Sequence, residues 1–396
     1  MMQRINSILT AYDRLVTKLR GGLWEKFWSL LFYLAWTIEL AVVIIDKSAL
    51  VNPYESYIFR ATFLLFAAKM FVTRFSPRER GWLFLALVFT FADYRISGRN
   101  DLLRAVVFIA ALRDMDIRRV LKFTLWATAA GCLLLVFLSF TGIGGSVSLT
   151  QDFGNGIETR YALGLGHPNA LHCMAAMLGL LALYSYDSRM KWWSYLAFLL
   201  TNGFLYALTK SNTGFLILTG GIVLSMIMHY NIAVRRGRLV YLLGEAVLAG
   251  GLLFTLAGAI LNPAEHPLLA KIDALMTGRI ASVWDTTFHE GTLSSWALMG
   301  DRRNMAFFDL GFDRFVTWYG VIPGILLIWL IYACLERMRK RHDAAAFVLL
   351  LCCCLYTVPE AHLVSAYLGR NYCLLLAGIY LPLLIGGQDG NGRERS

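Results

Sequence analysis

Charge is what this sequence has least of. Asp, Glu, Lys and Arg together are 16% of its 396 residues and apolar side chains 58%, against about a quarter and roughly half in soluble domains. A water-soluble globule is therefore excluded. The apolar runs also lack the period-two alternation of barrel strands, which leaves an all-α polytopic membrane protein. Paired cysteine motifs are missing as well: Cys132, Cys173, Cys334, Cys352, Cys353, Cys354 and Cys373 show no CxxC spacing and fall mostly in apolar runs. They read as small hydrophobes, not as a disulfide or metal framework. No GxxxxGK[ST], HExxH or GxSxG occurs, and no GxGxxG follows a strand, so ATP-driven and zinc-hydrolase chemistry has no support. No internal repeat at a period of about 20–50 residues and no soluble domain is visible.

What is present is a series of apolar stretches matched to a hydrocarbon core of about 30 Å. They predict about 12 transmembrane helices, at about 28–46, 57–73, 82–96, 101–113, 120–141, 169–187, 192–208, 213–231, 239–261, 315–335, 344–358 and 372–386. Residues 1–27 are expected to form a basic, amphipathic arm on the cytoplasmic surface, without the apolar core of a cleaved signal peptide. Residues 28–386 form a single transmembrane domain, and 387–396 a cytoplasmic tail. Arg60 and Lys69 fall inside the second stretch, where they either snorkel to opposite interfaces or face a polar cavity; snorkelling is the expectation.

Basic residues outnumber acidic ones, 37 to 26, and they sit in alternate short connections: Arg74 to Arg80, Arg113 to Lys122, Arg189 and Lys191, Arg235 to Arg238, and Arg337 to Arg341. With both termini inside, this satisfies the positive-inside rule at nearly every turn. The net charge of +11 thus reads as topology, with affinity for anionic lipid headgroups or a diphosphate substrate and not for nucleic acid. Two larger loops, about 142–168 and 262–313, are then extracytoplasmic. The second is too irregular to span and too apolar to be a floppy linker, so short interfacial helices are expected in it.

Polar residues gather on that outer face. In Arg160-Tyr-Ala-Leu-Gly164-Leu-Gly166-His167-Pro168-Asn169, Pro168 presets a helix start and His167 falls at the helix N-terminus. Helix-entry chemistry explains these residues; so does an anion or sugar site built from Arg160, His167 and Asn169, because such a terminus favours negative charge. The turn Thr209-Lys210-Ser211-Asn212-Thr213 has the side chains of a plain turn, yet Lys210 is its one cation and suits an anionic substrate. Arg279, after Gly278, is either a solvated charge or half of a two-arginine clamp on a diphosphate. Asp309 and Glu360, both near the outer interface, serve structural pairing or take part directly.

These residues together, Arg160 with Gly-Leu-Gly-His-Pro-Asn, the polar turn at Lys210 and Asn212, and Gly278-Arg279 in a late large loop, resemble the Wzy-type polysaccharide polymerases of the O-antigen ligase and polymerase superfamily. The motifs span about a tenth of the chain; the layout covers most of it. The resemblance implies a GT-C-like glycosyltransferase in the bacterial plasma membrane. Such an enzyme joins undecaprenyl-diphosphate-linked oligosaccharide repeats into a capsule or exopolysaccharide, with no cofactor or metal and with a flippase and a chain-length regulator as pathway partners. It also implies that Arg160 and Arg279 bind the diphosphate and that His167 matches the family's His-Pro-Asn element. The outer loops are compact for the family, and His289 is a doubtful counterpart for the ligase-type histidine, so that role is not carried over.

The expected chemistry is inverting attack by an acceptor hydroxyl on an anomeric carbon. Arg160 and Arg279, assisted by Lys210, hold the leaving group, and His167, Asp309 or Glu360 is the base. Ligation to a different acceptor is a related alternative. A transporter or flippase of lipid-linked oligosaccharide is the reading from another class, although it would place its polar clusters at the bilayer midplane within paired repeats.

Overall fold

A computed structural model of the chain describes residues 2–48, 50–153, 156–286 and 288–386; the expected tail at 387–396 lies outside the described residues. The helices in chain order are α1 (Met2–Leu19), α2 (Leu23–Asp46), α3 (Glu55–Phe71), α4 (Pro77–Ser97), α5 (Asp101–Leu112) and α6 (Ile117–Phe140), then a hairpin of β1 (Ser148–Asp152) and β2 (Ile157–Tyr161). There follow α7 (Pro168–Tyr186), α8 (Trp192–Thr209), α9 (Asn212–Tyr230), α10 (Ile232–Arg236), α11 (Leu239–Ile260), α12 (Pro267–Leu275), α13 (Ala281–Trp284), α14 (Gly311–Tyr319), α15 (Val321–Lys340), α16 (Ala344–Thr357) and α17 (Cys373–Leu384).

The protein is an all-α membrane protein with very little sheet. Among the described residues six helices are long and apolar enough to cross a bilayer: α2, α6, α7 with the turn after it, α9, α11 and α15. The other expected spans coincide with α3, α4, α5, α8, α16 and α17, which are shorter or more polar.

Local chemistry sets the helix ends. Ser76 caps α4 in a reciprocal box with Glu79, Pro77 occupies its first turn, and Gly98 in the left-handed region stops it. Asp116 and Asp343 cap α6 and α16 by accepting from the N–H groups of Arg119 and Ala346. The expected tenth span begins differently. Gly320 has φ +100° and a Cβ there would lie 2.5 Å from Met299, so the chain breaks and α14 is a separate short helix ahead of α15. The core centres on α16, whose residues 346–354 are all buried and which packs on α7, α9, α15 and α11.

Helix ends collect on two faces. On one, Arg20 and Lys69 share Asp114 at 2.6 and 2.5 Å, Arg113 meets Glu79 at 2.6 Å and Arg80 meets Asp13 at 3.0 Å. Lys69 is thus buried in an ion pair and does not snorkel, because Asp114 and the Thr73 hydroxyl supply its hydrogen bonds inside the protein. Arg60 stays exposed beside the Tyr57 ring. On the other face, Tyr367 donates to Glu55, Tyr319 donates to Asp101, and Arg302 donates to the Arg95 carbonyl. The 142–168 loop, expected to be irregular, carries the antiparallel hairpin with Leu149 opposite Arg160. The 262–313 loop holds α12 and α13, the short helices expected there.

A buried ion pair ties this second face to the bundle. Arg104 reaches both oxygens of Glu39 at 2.9 and 3.2 Å, stacks 3.9 Å over Phe59 and donates to the Ala366 carbonyl at 2.6 Å. That last bond fixes the 358–372 connection against α2 and α5.

Candidate active site

Arg279 is the hub of the polar cluster. It follows Thr277 and Gly278, both with positive φ, and Asp273 holds the turn by accepting from the N–H groups of Ile280 and Ala281 at 2.6 and 3.1 Å. From there the guanidinium meets Glu360 Oε1 at 2.5 Å and Asp309 Oδ2 at 3.8 Å, and it donates to the Pro359 carbonyl. Glu360 is enclosed, and burial pushes its carboxyl above the usual range, with Arg279 opposing and Asp309 reinforcing. Asp309 keeps 45% of its side-chain surface exposed, so it is the carboxylate that a substrate can reach.

His167 is the N-cap of α7, one residue before Pro168. Its Nδ1 accepts the Asn169 backbone N–H at 3.2 Å, which assigns the proton of the neutral ring to Nε2. Burial lowers its pKa, Arg160 lowers it further, and Asp309 opposes them; His167 therefore lies within electrostatic range of both. Arg160, on β2, binds Glu158 with Nε at 2.7 Å and stacks 4.1 Å over Phe153, whose ring is 5.9 Å from the His167 ring. The approach to His167 is a tight turn. Gly164 has φ +80° and a Cβ there would sit 2.6 Å from the Leu135 carbonyl, while Gly166 has φ +71° and packs on the Lys47 carbonyl.

Five of the sequence-predicted residues, Arg160, His167, Arg279, Asp309 and Glu360, thus form one connected set. Asn169 joins it through its backbone N–H. Lys210 and Asn212 stand aside: both are exposed, Lys210 lies 5.9 Å from the Tyr206 ring, and Asn212 accepts from the Tyr206 hydroxyl. Among the described residues neither pairs with the Arg279 cluster.

Three further groups complete the neighbourhood. Arg314 on α14 is 2% exposed, and its Nη2 donates to the Ala361 and Val364 carbonyls at 3.3 Å each. Its Nε and Nη1 are buried with no partner among the described residues. Arg370, in the short turn Leu368–Arg370, has a buried, unpartnered Nε. His362 is 1% exposed with Nε2 unpartnered and Nδ1 3.8 Å from Cys173 Sγ; burial first, and then Arg370 and Lys47, hold it well below the usual histidine range. Arg370 and His362 are visible in the sequence without a role. Arg314 was missed, because Asp313 beside it in sequence makes it look like half of a local charge pair. Among the described residues no group of three or more His, Cys, Asp or Glu side chains is placed to hold a metal ion.

No protein-family model matches the chain, and neither a curated protein nor a solved structure matches it.

Proposed function

We propose that the protein is a membrane glycosyltransferase that polymerises lipid-diphosphate-linked oligosaccharide on the outer face of a bacterial plasma membrane. The observation that carries this reading is the run Arg160, His167, Asp309, Arg279, Glu360 at one end of the helical bundle. In this reading α3, α4, α5, α8, α16 and α17 also cross the bilayer, giving twelve crossings. Both termini are then cytoplasmic, and the Asp114 and Glu79 face, rich in basic residues, lies inside.

This reading assigns the following roles. The acceptor hydroxyl oxygen attacks the anomeric carbon, the bond to the diphosphate breaks with its electron pair leaving on the diphosphate, and the hydroxyl proton passes to a carboxylate. Asp309 suits the base because it is the more exposed, whereas Glu360 is held through Oε1 by Arg279 and acts by aiming that guanidinium. His167 presents Nε2–H and suits a hydrogen-bond donor to an oxygen of the substrate. Arg160 and Arg279 face the leaving diphosphate, with Lys210 and Asn212 on the rim. Ligation to a different acceptor would use the same groups.

Purified protein in proteoliposomes, supplied with undecaprenyl-diphosphate oligosaccharide and no nucleotide sugar, should release the lipid diphosphate and lengthen the glycan. Movement of the intact lipid-linked oligosaccharide between leaflets without new glycosidic bonds would place the protein among transporters instead.

A further inference from the structure

The charges of the outer face do not balance locally. Arg279 has Glu360 and Asp309, Arg160 has Glu158, and Lys47 has Asp46 at 2.5 Å. Arg314 and Arg370 have no carboxylate within ion-pair distance among the described residues, and Arg370 lies close enough to disfavour the charge of Arg314, with the more distant Asp309 opposing it. Asp313, next in sequence to Arg314, is turned away to Trp296 and Thr317.

Burial makes the imbalance informative. A guanidinium cannot shed its proton at physiological pH, so an enclosed one without a counter-ion is unfavourable unless a ligand supplies the charge. Burial, with Arg370 second, lowers the pKa of Arg314 to about 10, still well above that range. Both of its carbonyl bonds go through Nη2, leaving Nε and Nη1 unused. Arg370 likewise leaves Nε unused, and His362 beside it leaves Nε2 unused. The Phe307 ring, 75% exposed, stacks 4.0 Å from the Arg314 guanidinium and is its cover toward the outer face.

We propose that Arg314 and Arg370, with His362 beneath them, form an oxyanion seat that takes a diphosphate or a sugar carboxylate of the substrate when Phe307 swings aside. The pair supplies two positive charges and donors suited to flat or tetrahedral oxyanions. The seat deepens the glycosyl-transfer reading by moving the principal anion contact from the neutralised Arg160 and Arg279 to the unneutralised pair, and its failure is separable because binding is read without transfer.

The test uses the full chain in nanodiscs with two probes, inorganic pyrophosphate and D-glucuronate, read by thermal midpoint and by calorimetric titration. Wild type should be stabilised saturably by at least one probe; pyrophosphate acting alone assigns the seat to the carrier diphosphate, and glucuronate acting alone assigns it to an acidic sugar. Arg314→Met and Arg370→Met should weaken that probe at least tenfold, compared at matched folded fraction because Arg314→Met also frees the Ala361 and Val364 carbonyls. Arg314→Lys, which keeps the charge but not the planar donor set, checks for misfolding and should bind with intermediate affinity. Arg279→Lys should retain probe binding even where transfer is lost. If neither probe shifts wild type, or if the Arg314 and Arg370 variants bind as wild type does while Arg279→Lys does not, the seat is overturned.

Discussion

The guanidinium of Arg279 stands 2.5 Å from Glu360 Oε1 and 3.8 Å from Asp309 Oδ2, so one cation organises two carboxylates of different exposure. The less exposed carboxylate fixes the arginine and the more exposed one is left open to solvent. This division of labour gives the account its sharpest kinetic consequence.

Asp309→Asn should lower the initial transfer rate by about 10²–10⁴-fold, the usual worth of a positioned base. Glu360→Gln leaves Arg279 partly aimed by the Pro359 carbonyl and should cost about tenfold, or roughly 1.4 kcal/mol in the barrier. Initial rates in proteoliposomes at matched protein levels decide it, and the reverse order would exchange the two roles.

The buried Glu39–Arg104 pair should govern stability more than activity. Arg104→Met strands the Glu39 carboxylate and frees the Ala366 carbonyl, at a cost of about 3–5 kcal/mol. The double variant Glu39→Leu with Arg104→Met should recover most of that loss. Thermal unfolding in detergent measures both, and a double variant no better than the single one would show that the pair is irreplaceable in holding the 358–372 connection.

Acid should destabilise the outer face through its histidines. Both His167 and His362 have folded-state pKa values lowered chiefly by burial, with Arg160 beside the first and Arg370 and Lys47 beside the second. The unfolded chain then holds more protons below about pH 6.5, so stability falls as pH drops through that value. His362→Asn should flatten the dependence of the thermal midpoint between about pH 7 and 5. Glu360, shifted upward, acts with the opposite sign in the carboxylate range, and Glu360→Gln isolates it. A profile as steep in His362→Asn as in wild type would contradict the assignment.

Gly164→Ala should disturb the entry to α7. It places a Cβ at φ +80° and 2.6 Å from the Leu135 carbonyl, a conformational cost of about 1–3 kcal/mol before any packing shift. Transfer should fall with little change in folded yield, because the turn carries His167 and does not belong to the helical core. Comparing rate with yield checks this.

Much of the fold could be read from the chain because hydropathy and charge act over whole helices. Eleven of the twelve expected stretches coincide with single helices and the tenth is divided at Gly320, and the short helices near Arg279 were expected from amphipathic residues. The hairpin that carries Arg160 was not expected because its strands are only five residues each, too short to register as a period-two pattern. The break at Gly320 escaped notice because its cause is tertiary, the backbone of Met299 pressing on the glycine. For the site, the grouping of Arg160, His167, Arg279, Asp309 and Glu360 at one end of the bundle was legible. Lys210 looked equivalent to them, yet it extends beside Tyr206. Arg314 could not be recognised, since its significance lies in having buried donors with no partner, which no local pattern encodes.

The central claim is that Arg279 works as a planar, two-carboxylate-anchored guanidinium at the reacting end of a lipid-diphosphate glycan. Its most direct test is the product chain-length distribution made by Arg279→Lys in proteoliposomes, at protein levels equal to wild type. Lysine keeps the charge and loses the fork, so the account predicts collapse to unextended or singly extended repeats. A distribution unchanged from wild type would contradict it.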